Sequence, residues 1–391
     1  MIANAPTLAV SQFGGIMNKA DAETVGLAGF VVADNVNIDG SGKHLFARDG
    51  QTALSNTALA GGFATVDAKR CYAVTSAGDL VSWNGAASTL RSGFVGYPYW
   101  VQIGDIVFVG NDNQCWRIGA DNVVEDNATT QPAPLTLTPS PGNLPAGQYR
   151  FTQVSLTRGR ESEPSVESII TVDGTQNIQV SGITGQRIYV APADSRVFGW
   201  WRDTTQSVLV YAQAAETLGE ELRTLNLQPM PAGQCLASYE GRLYCSVYDA
   251  RTDQSVIYRS LPFWWDLCEP MDMKIVPGEV RAMAGLPAGL VIGTDRQVGY
   301  MDTNDNWIVF ADYGVPRGRA IALDVKIAGE EAKECWIWTH HGVCKALPFQ
   351  EVTPQFAPPI ADFVGTAIVR RDGDERLVAT LSPFDSPDNA T

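Results

Sequence analysis

The chain carries few side chains able to do acid–base or nucleophilic work, so each constellation can be weighed singly. It has 3 histidines, His44, His340 and His341. It contains no GxSxG elbow to present a serine nucleophile and no GxxxxGK[ST] loop to cradle phosphate. The densest group of metal-type ligands is Cys335, His340, His341 and Cys344, spaced C-x4-H-H-x2-C. That spacing departs from structural zinc sites. On a strand, Trp336, Trp338 and His340 would share one face and Cys335, Ile337, Thr339 and His341 the other, so the ligands would diverge.

Asp302, Asn304 and Asn306 alternate as calcium ligands do, but Trp307 stands where such a loop needs glycine and Tyr313 where it needs a bidentate glutamate. The segment is expected to be a polar turn between two strands. Asp266, Glu269, Asp295 and Asp312 are carboxylates of the kind glycoside hydrolysis needs in pairs, and nothing in their spacing makes any two converge. Two aromatic runs remain, Trp200-Trp201-Arg202 and Phe263-Trp264-Trp265-Asp266. Flat rings stack on sugars, and they also fill cores and subunit interfaces. Trp200, Trp201, Phe263, Trp264 and Trp265 are therefore the candidate interface or glycan contacts. No residue is assigned a catalytic, cofactor-binding or metal-binding role, and the chain reads as non-enzymatic.

The elements that must position these residues are strands. Among 391 residues, 45% are hydrophobic and 18% charged, which excludes disorder. With 37 Gly and 22 Pro beside 10 Trp and 12 Tyr, the composition describes short strands joined by tight turns. A net charge of −15 opposes adhesion to phosphate backbones and anionic membranes, so no sequence-specific nucleic acid is expected as a partner. The start of the chain lacks a basic stretch followed by an apolar one, and no run of about 18 apolar residues occurs. A protein made in the cytoplasm, without membrane insertion, is expected. The 7 cysteines form no CxxC pair and read as buried thiols.

Cys71–Thr75 and Leu80–Trp83 flank a turn containing Gly78, a hairpin pattern. Similar units return at 98–118, 241–260, 289–301, 334–339 and 377–381 at irregular spacing, each resembling part of a propeller blade. Closing a ring of blades would protect the edges of so many antiparallel strands. The rhythm breaks at Gln131-Pro132-Ala133-Pro134, where long alternating strands at 144–156 and 165–172 suit a small sandwich similar to a fibronectin type III domain. Ala212–Leu222 is the best helical stretch, but Gly219 and a thin apolar face make it a loop. The turns Arg158-Gly159-Arg160-Glu161 and 370–376 mix charges and read as solvated hairpin tips. The expected fold is all-β: a β-propeller with an inserted fibronectin type III-like β-sandwich. Its parts are residues 1–130 (propeller with an N-terminal arm), 131–185 (insert) and 186–391 (propeller remainder).

Several pieces resemble a known family. The stretch 26–40, with Asp34-Asn35-Val36-Asn37-Ile38-Asp39-Gly40, followed by Arg48-Asp49-Gly50, resembles the entry strand of bacteriophage tail propellers. Gly147-Gln148-Tyr149 and Gly159-Arg160-Glu161-Ser162 are similar to pieces of the insert found in that family. Met230-Pro231-Ala232-Gly233, Tyr239–Tyr244, Gly289–Asp295, Ala311–Gly314 and Trp338–Val343 follow in the family's order. The resemblance implies a virion protein of the tail or neck, a hub or nozzle subunit in a ring of identical copies, sixfold or twelvefold. It further implies portal, adaptor or tail-tube proteins as neighbours, an anchored tail fibre or spike, and a lumen through which DNA is ejected. An acidic lumen would not trap that DNA. Two other readings stay open, a receptor- or glycan-binding propeller module and a glycosidase on the same fold.

Overall fold

In the computed structural model, residues 58–318, 321–327, 330–353, 361–371 and 374–383 are described, together with short strands at 15–16, 29–30, 36–38 and 45–47. Most of the opening stretch 26–50, His44 included, and the tip 372–373 lie outside the described residues. The described chain is all-β, with one helical turn at Ala215–Thr217.

Successive hairpins build successive sheets. The first is a four-stranded antiparallel meander of Leu59–Ala64, Cys71–Thr75, Asp79–Trp83 and Ala87–Ser92, and the second runs through Tyr99–Ile103, Ile106–Gly110, Cys115–Ile118 and Val124–Asp126. The third holds Gln234–Tyr239, Arg242–Asp249, Gln254–Leu261 and the long Trp264–Pro277, with Gln228–Pro229 on its rim. The fourth spans Val280–Leu286, Gly289–Thr294, Val298–Asp302 and Trp307–Ala311, and the fifth Ile321–Ile327, Glu330–Thr339, Gly342–Ala346 and Gln350–Glu351. In a last sheet, Arg317–Gly318 pairs in parallel with Ala361–Arg371, which pairs antiparallel with Asp374–Pro383.

These sheets stack face to face, and alternation along single strands shows it. Within Ile106–Gly110, Val107 and Val109 join the core shared with Leu80, Trp100 and Trp116, while Phe108 faces the core shared with Leu243 and Ile257 of the third sheet. Within Gly289–Thr294, Leu290 and Ile292 face the third sheet, and Val291 packs with Ile337 and Cys344 of the fifth. Strands buried on both faces read as continuous apolar runs, which is why Ile106–Val109 shows no polar alternation. The edge strand of the third sheet, Gln234–Tyr239, touches both Tyr99–Ile103 and Val280–Leu286.

Between the second and third sheets the chain builds a separate two-sheet unit. Thr136–Pro141, Gln176–Ser181 and Val208–Tyr211 form one sheet, and Ser168–Val172, Gly147–Val154, Arg187–Ala191 and Gly199–Asp203 the other. Both enclose one core of Tyr149, Phe151, Ile178, Val180, Ile188, Trp201 and Tyr211. The unit therefore runs to Tyr211, beyond the expected boundary at 185, because its last three strands complete both sheets. Tyr149 donates its hydroxyl to the carbonyl of Pro145, four positions upstream (3.1 Å). Gln153, fully buried, clips the entry to the exit: Nε2 donates to the carbonyls of Ala133 (2.6 Å) and Gly182 (3.2 Å), and Oε1 accepts from the amides of Thr184 (3.1 Å) and Gly185 (2.8 Å).

Candidate functional site

A cleft of about 540 Å³ lies where this unit meets the second and third sheets. That volume suits a small ligand. From the two-sheet unit come Arg160, Glu161, Arg187, Tyr189 and Trp200, and from the segment that follows it Glu220; from the third sheet come Phe263, Trp264, Trp265 and Asp266; from the second comes Arg117.

Of the five aromatic candidates, the structure brings Trp200, Phe263, Trp264 and Trp265 to this one cleft, although they stand on two different parts of the chain. Trp201 is corrected. In the extended strand Gly199–Asp203 successive side chains oppose, so Trp200 stays 38% exposed while Trp201, 8% exposed, packs edge-on against Phe151 and Tyr211 inside the unit. Trp200 is held by its indole N–H, which donates to Asp203 (3.0 Å), and one side of its ring lies so close to the Gly219 backbone that a Cβ there would clash. Phe263 is 74% exposed at a hairpin tip with φ of 63°, and Trp264 is 36% exposed. Trp265 is a structural post: its indole N–H donates to the Gly241 carbonyl (2.8 Å) and its ring meets Phe108 edge-on at 5.8 Å.

The charged floor joins the parts. The turn at 158–161 is a hairpin tip as its composition suggests, with Arg158 and Gly159 exposed at its end, but Arg160 and Glu161 turn inward. Arg160 donates to Asp266 (2.9 Å), to Glu125 (3.2 Å) and to the Asn127 carbonyl (3.2 Å). Burial pushes the Asp266 carboxyl above its usual range, against the pull of Arg160. Glu161 accepts from Tyr189 (2.6 Å) and Arg187 (2.7 Å), and Arg187 also forks onto Asp203 (2.7 and 2.9 Å). Burial pushes the Tyr189 phenol far up, so it stays protonated. Asn127, fully buried, donates to the Trp265 carbonyl (2.7 Å).

The other constellations disperse. Of the four candidate carboxylates only Asp266 lines the cleft; Asp295 accepts the Glu279 amide (3.0 Å) and Asp312 accepts from Gln297 (3.2 Å). Asp302 spends its oxygens on its own turn, accepting from the amides of Asn304 and Asn306 (both 2.8 Å). Cys335 and Cys344 are buried in the core between the fourth and fifth sheets, where burial pushes the Cys335 thiol up to about 12. His341 stacks on Tyr313 with centroids 4.2 Å apart. Among the described residues no three metal-type ligands gather, and no helix is long and apolar enough to cross a membrane.

Sequence reasoning missed Arg117, Arg160, Arg187 and Tyr189 as site residues. The one available signal was a charged residue set between Trp116 and Ile118 on a core strand.

No family model and no curated protein matches the chain. Among solved structures it is similar to the Dos1 propeller (8% identity, 81% of this chain and 73% of that one, TM-score 0.33). It is also similar to the WD40 repeats of RRP9 (8%, 76% and 96%, TM-score 0.27) and to apo AztD from Citrobacter koseri (8%, 74% and 84%, TM-score 0.27). The all-β class rests on the sheets themselves.

Proposed function

We propose that the chain is a non-catalytic structural subunit of a bacteriophage tail or neck. In this reading it is a hub or nozzle protein that forms a ring of identical copies around the DNA passage, stacks on portal, adaptor or tail-tube proteins, and anchors a fibre or spike. The stacked sheets are the blades of a β-propeller, and the two-sheet unit is a fibronectin type III-like sandwich inserted between blades. The bond from Tyr149 to the Pro145 carbonyl supports the latter, since a tyrosine hydroxyl returning to upstream backbone is a hallmark of such sandwiches.

One observation carries the structural role. Arg160 of the insert binds Glu125 of one sheet and Asp266 of the next, so the insert is a fixed arm wedged between blades and not a tethered domain. A fixed arm suits a ring subunit that must present neighbours at a set angle. The order of the sequence pieces that resemble the tail family adds the placement in a virion. Sedimentation of the purified chain tests it: a species at an integral multiple of 42.2 kDa, sixfold in the favoured case, is expected, and a monomer at all concentrations, alone and with tail proteins, opposes it.

A second reading, a receptor- or glycan-binding module, is favoured by the cleft. Exposed Trp200, Phe263 and Trp264 line a cavity whose polar groups are preset by hydrogen bonds, the usual makeup of a small-ligand site.

A further inference from the structure

Arg117 is the exception in the cleft. On the strand Cys115–Ile118 it stands directly across from Glu125, the partner that would ordinarily pair with it. Both oxygens of that carboxylate are taken by the insert: Oε1 by Arg158 (2.9 Å) and Oε2 by Arg160 (3.2 Å). The Arg117 Nη1 is buried without any hydrogen-bond partner, and no ion pair joins its guanidinium among the described residues. Burial and the neighbouring Arg160 lower its pKa against the pull of Asp266 and Glu125, neither of which forms an ion pair with it. It lies in the shared wall of the cleft and of a second cavity of about 490 Å³.

The acids of the cleft are otherwise engaged. Asp266 is held by Arg160, Glu161 by Arg187 and Tyr189, and Glu220 by Arg223 (3.2 Å). Glu221 alone carries no ion pair among the described residues and remains open to accept hydroxyls. A partly desolvated guanidinium with an unpartnered Nη1 and no ion pair, beside exposed aromatic faces and one free hydroxyl acceptor, matches a ligand that carries all three complements.

We propose that the cleft binds a carboxylated sugar unit of an acidic polysaccharide, its ring on the Trp264 and Phe263 side and its carboxylate on Arg117. The proposal rests on the glycan-binding reading and names the class of glycan. It requires no catalysis.

The test uses the full chain and four probes in titration calorimetry: trigalacturonate, its methyl ester, α2,8-linked trisialate, and neutral maltotriose. At least one acidic trimer is expected to bind, weaken with added salt, and lose about tenfold or more in affinity in Arg117→Gln with unchanged thermal stability. Where trigalacturonate binds, its methyl ester, which keeps the ring and loses the charge, is expected to lose affinity by a similar factor whether or not any variant folds. Trp264→Ala should weaken the acidic ligand as well. Equal binding of neutral and acidic trimers, unaffected by Arg117→Gln, would overturn the acidic assignment and leave the glycan reading standing. Binding of none of the probes would overturn the proposal, and a negative screen of wider neutral glycans would then remove the glycan reading too.

Discussion

The ring of Phe363 lies on that of Tyr97, centroids 4.4 Å apart and planes 26° apart, although the two stand near opposite ends of the described chain. Tyr97 belongs to the link between the first and second sheets, and Phe363 to the last one. Arg317, which pairs with buried Glu279 (2.6 Å), holds its guanidinium 5.8 Å from the same Phe363 ring. The last sheet thus returns to the link between the first two sheets.

If this contact closes the structure, Phe363→Ala should cost about 1–3 kcal/mol, the loss of a half-buried aromatic and its stacking partner. Urea unfolding would show a lower midpoint with an unchanged slope. A midpoint equal to that of the wild type would mean the last sheet adds nothing to the stack.

The joint between the two-sheet unit and the neighbouring sheets makes a contrast between two substitutions. Asp266→Ala leaves Arg160 facing an empty, buried position and should cost about 3 kcal/mol. Asp266→Asn should cost under about 1 kcal/mol, since the amide still accepts a bond and relief of desolvation offsets the lost attraction. The pH dependence has a definite sign. The folded pKa of Asp266 is raised, so the burial penalty on its charged form falls away as pH drops through that folded value. Wild type should therefore gain on Asp266→Asn upon acidification, measured by paired urea titrations.

Asp203 should behave in the opposite sense. The hydrogen bonds from Arg187 hold its pKa below the ordinary 3.8. Its contribution is present above the unfolded pKa and disappears as pH falls through the folded one. Both partners are partly exposed, at 30% and 45%, so the effect should stay under about 1 kcal/mol. Asp203→Asn should be less stable than wild type at neutral pH and equal to it in strong acid.

The two neighbouring tryptophans of Gly199–Asp203 should separate by readout. Trp201→Ala removes a core ring and should cost about 3–5 kcal/mol, seen as loss of the insert's protected amides in hydrogen exchange. Trp200→Ala should leave that protection in place, because its ring lines the cleft and not the core.

Much of the strand content was legible because apolar runs between glycine turns act locally: Cys71–Thr75, Ile106–Gly110 and Gly289–Thr294 all form where their patterns place them. The end of the insert was not legible, because Val208–Tyr211 belongs to it only through pairing with Ile178–Ser181, a long-range choice that leaves no local mark. Trp200 and Trp201 looked alike until a strand direction assigned one to the cleft and one to the core. Arg117 was hidden for a similar reason. Its isolation arises only when Arg158 and Arg160, more than a strand away in sequence, dock on Glu125.

The central claim, a ring-forming tail subunit, is met most directly by negative-stain electron microscopy of the purified chain, alone and mixed with candidate virion proteins. The account predicts closed rings with a central opening, or rings stacked on a portal or tail tube. Single particles the size of one chain in every mixture would contradict it.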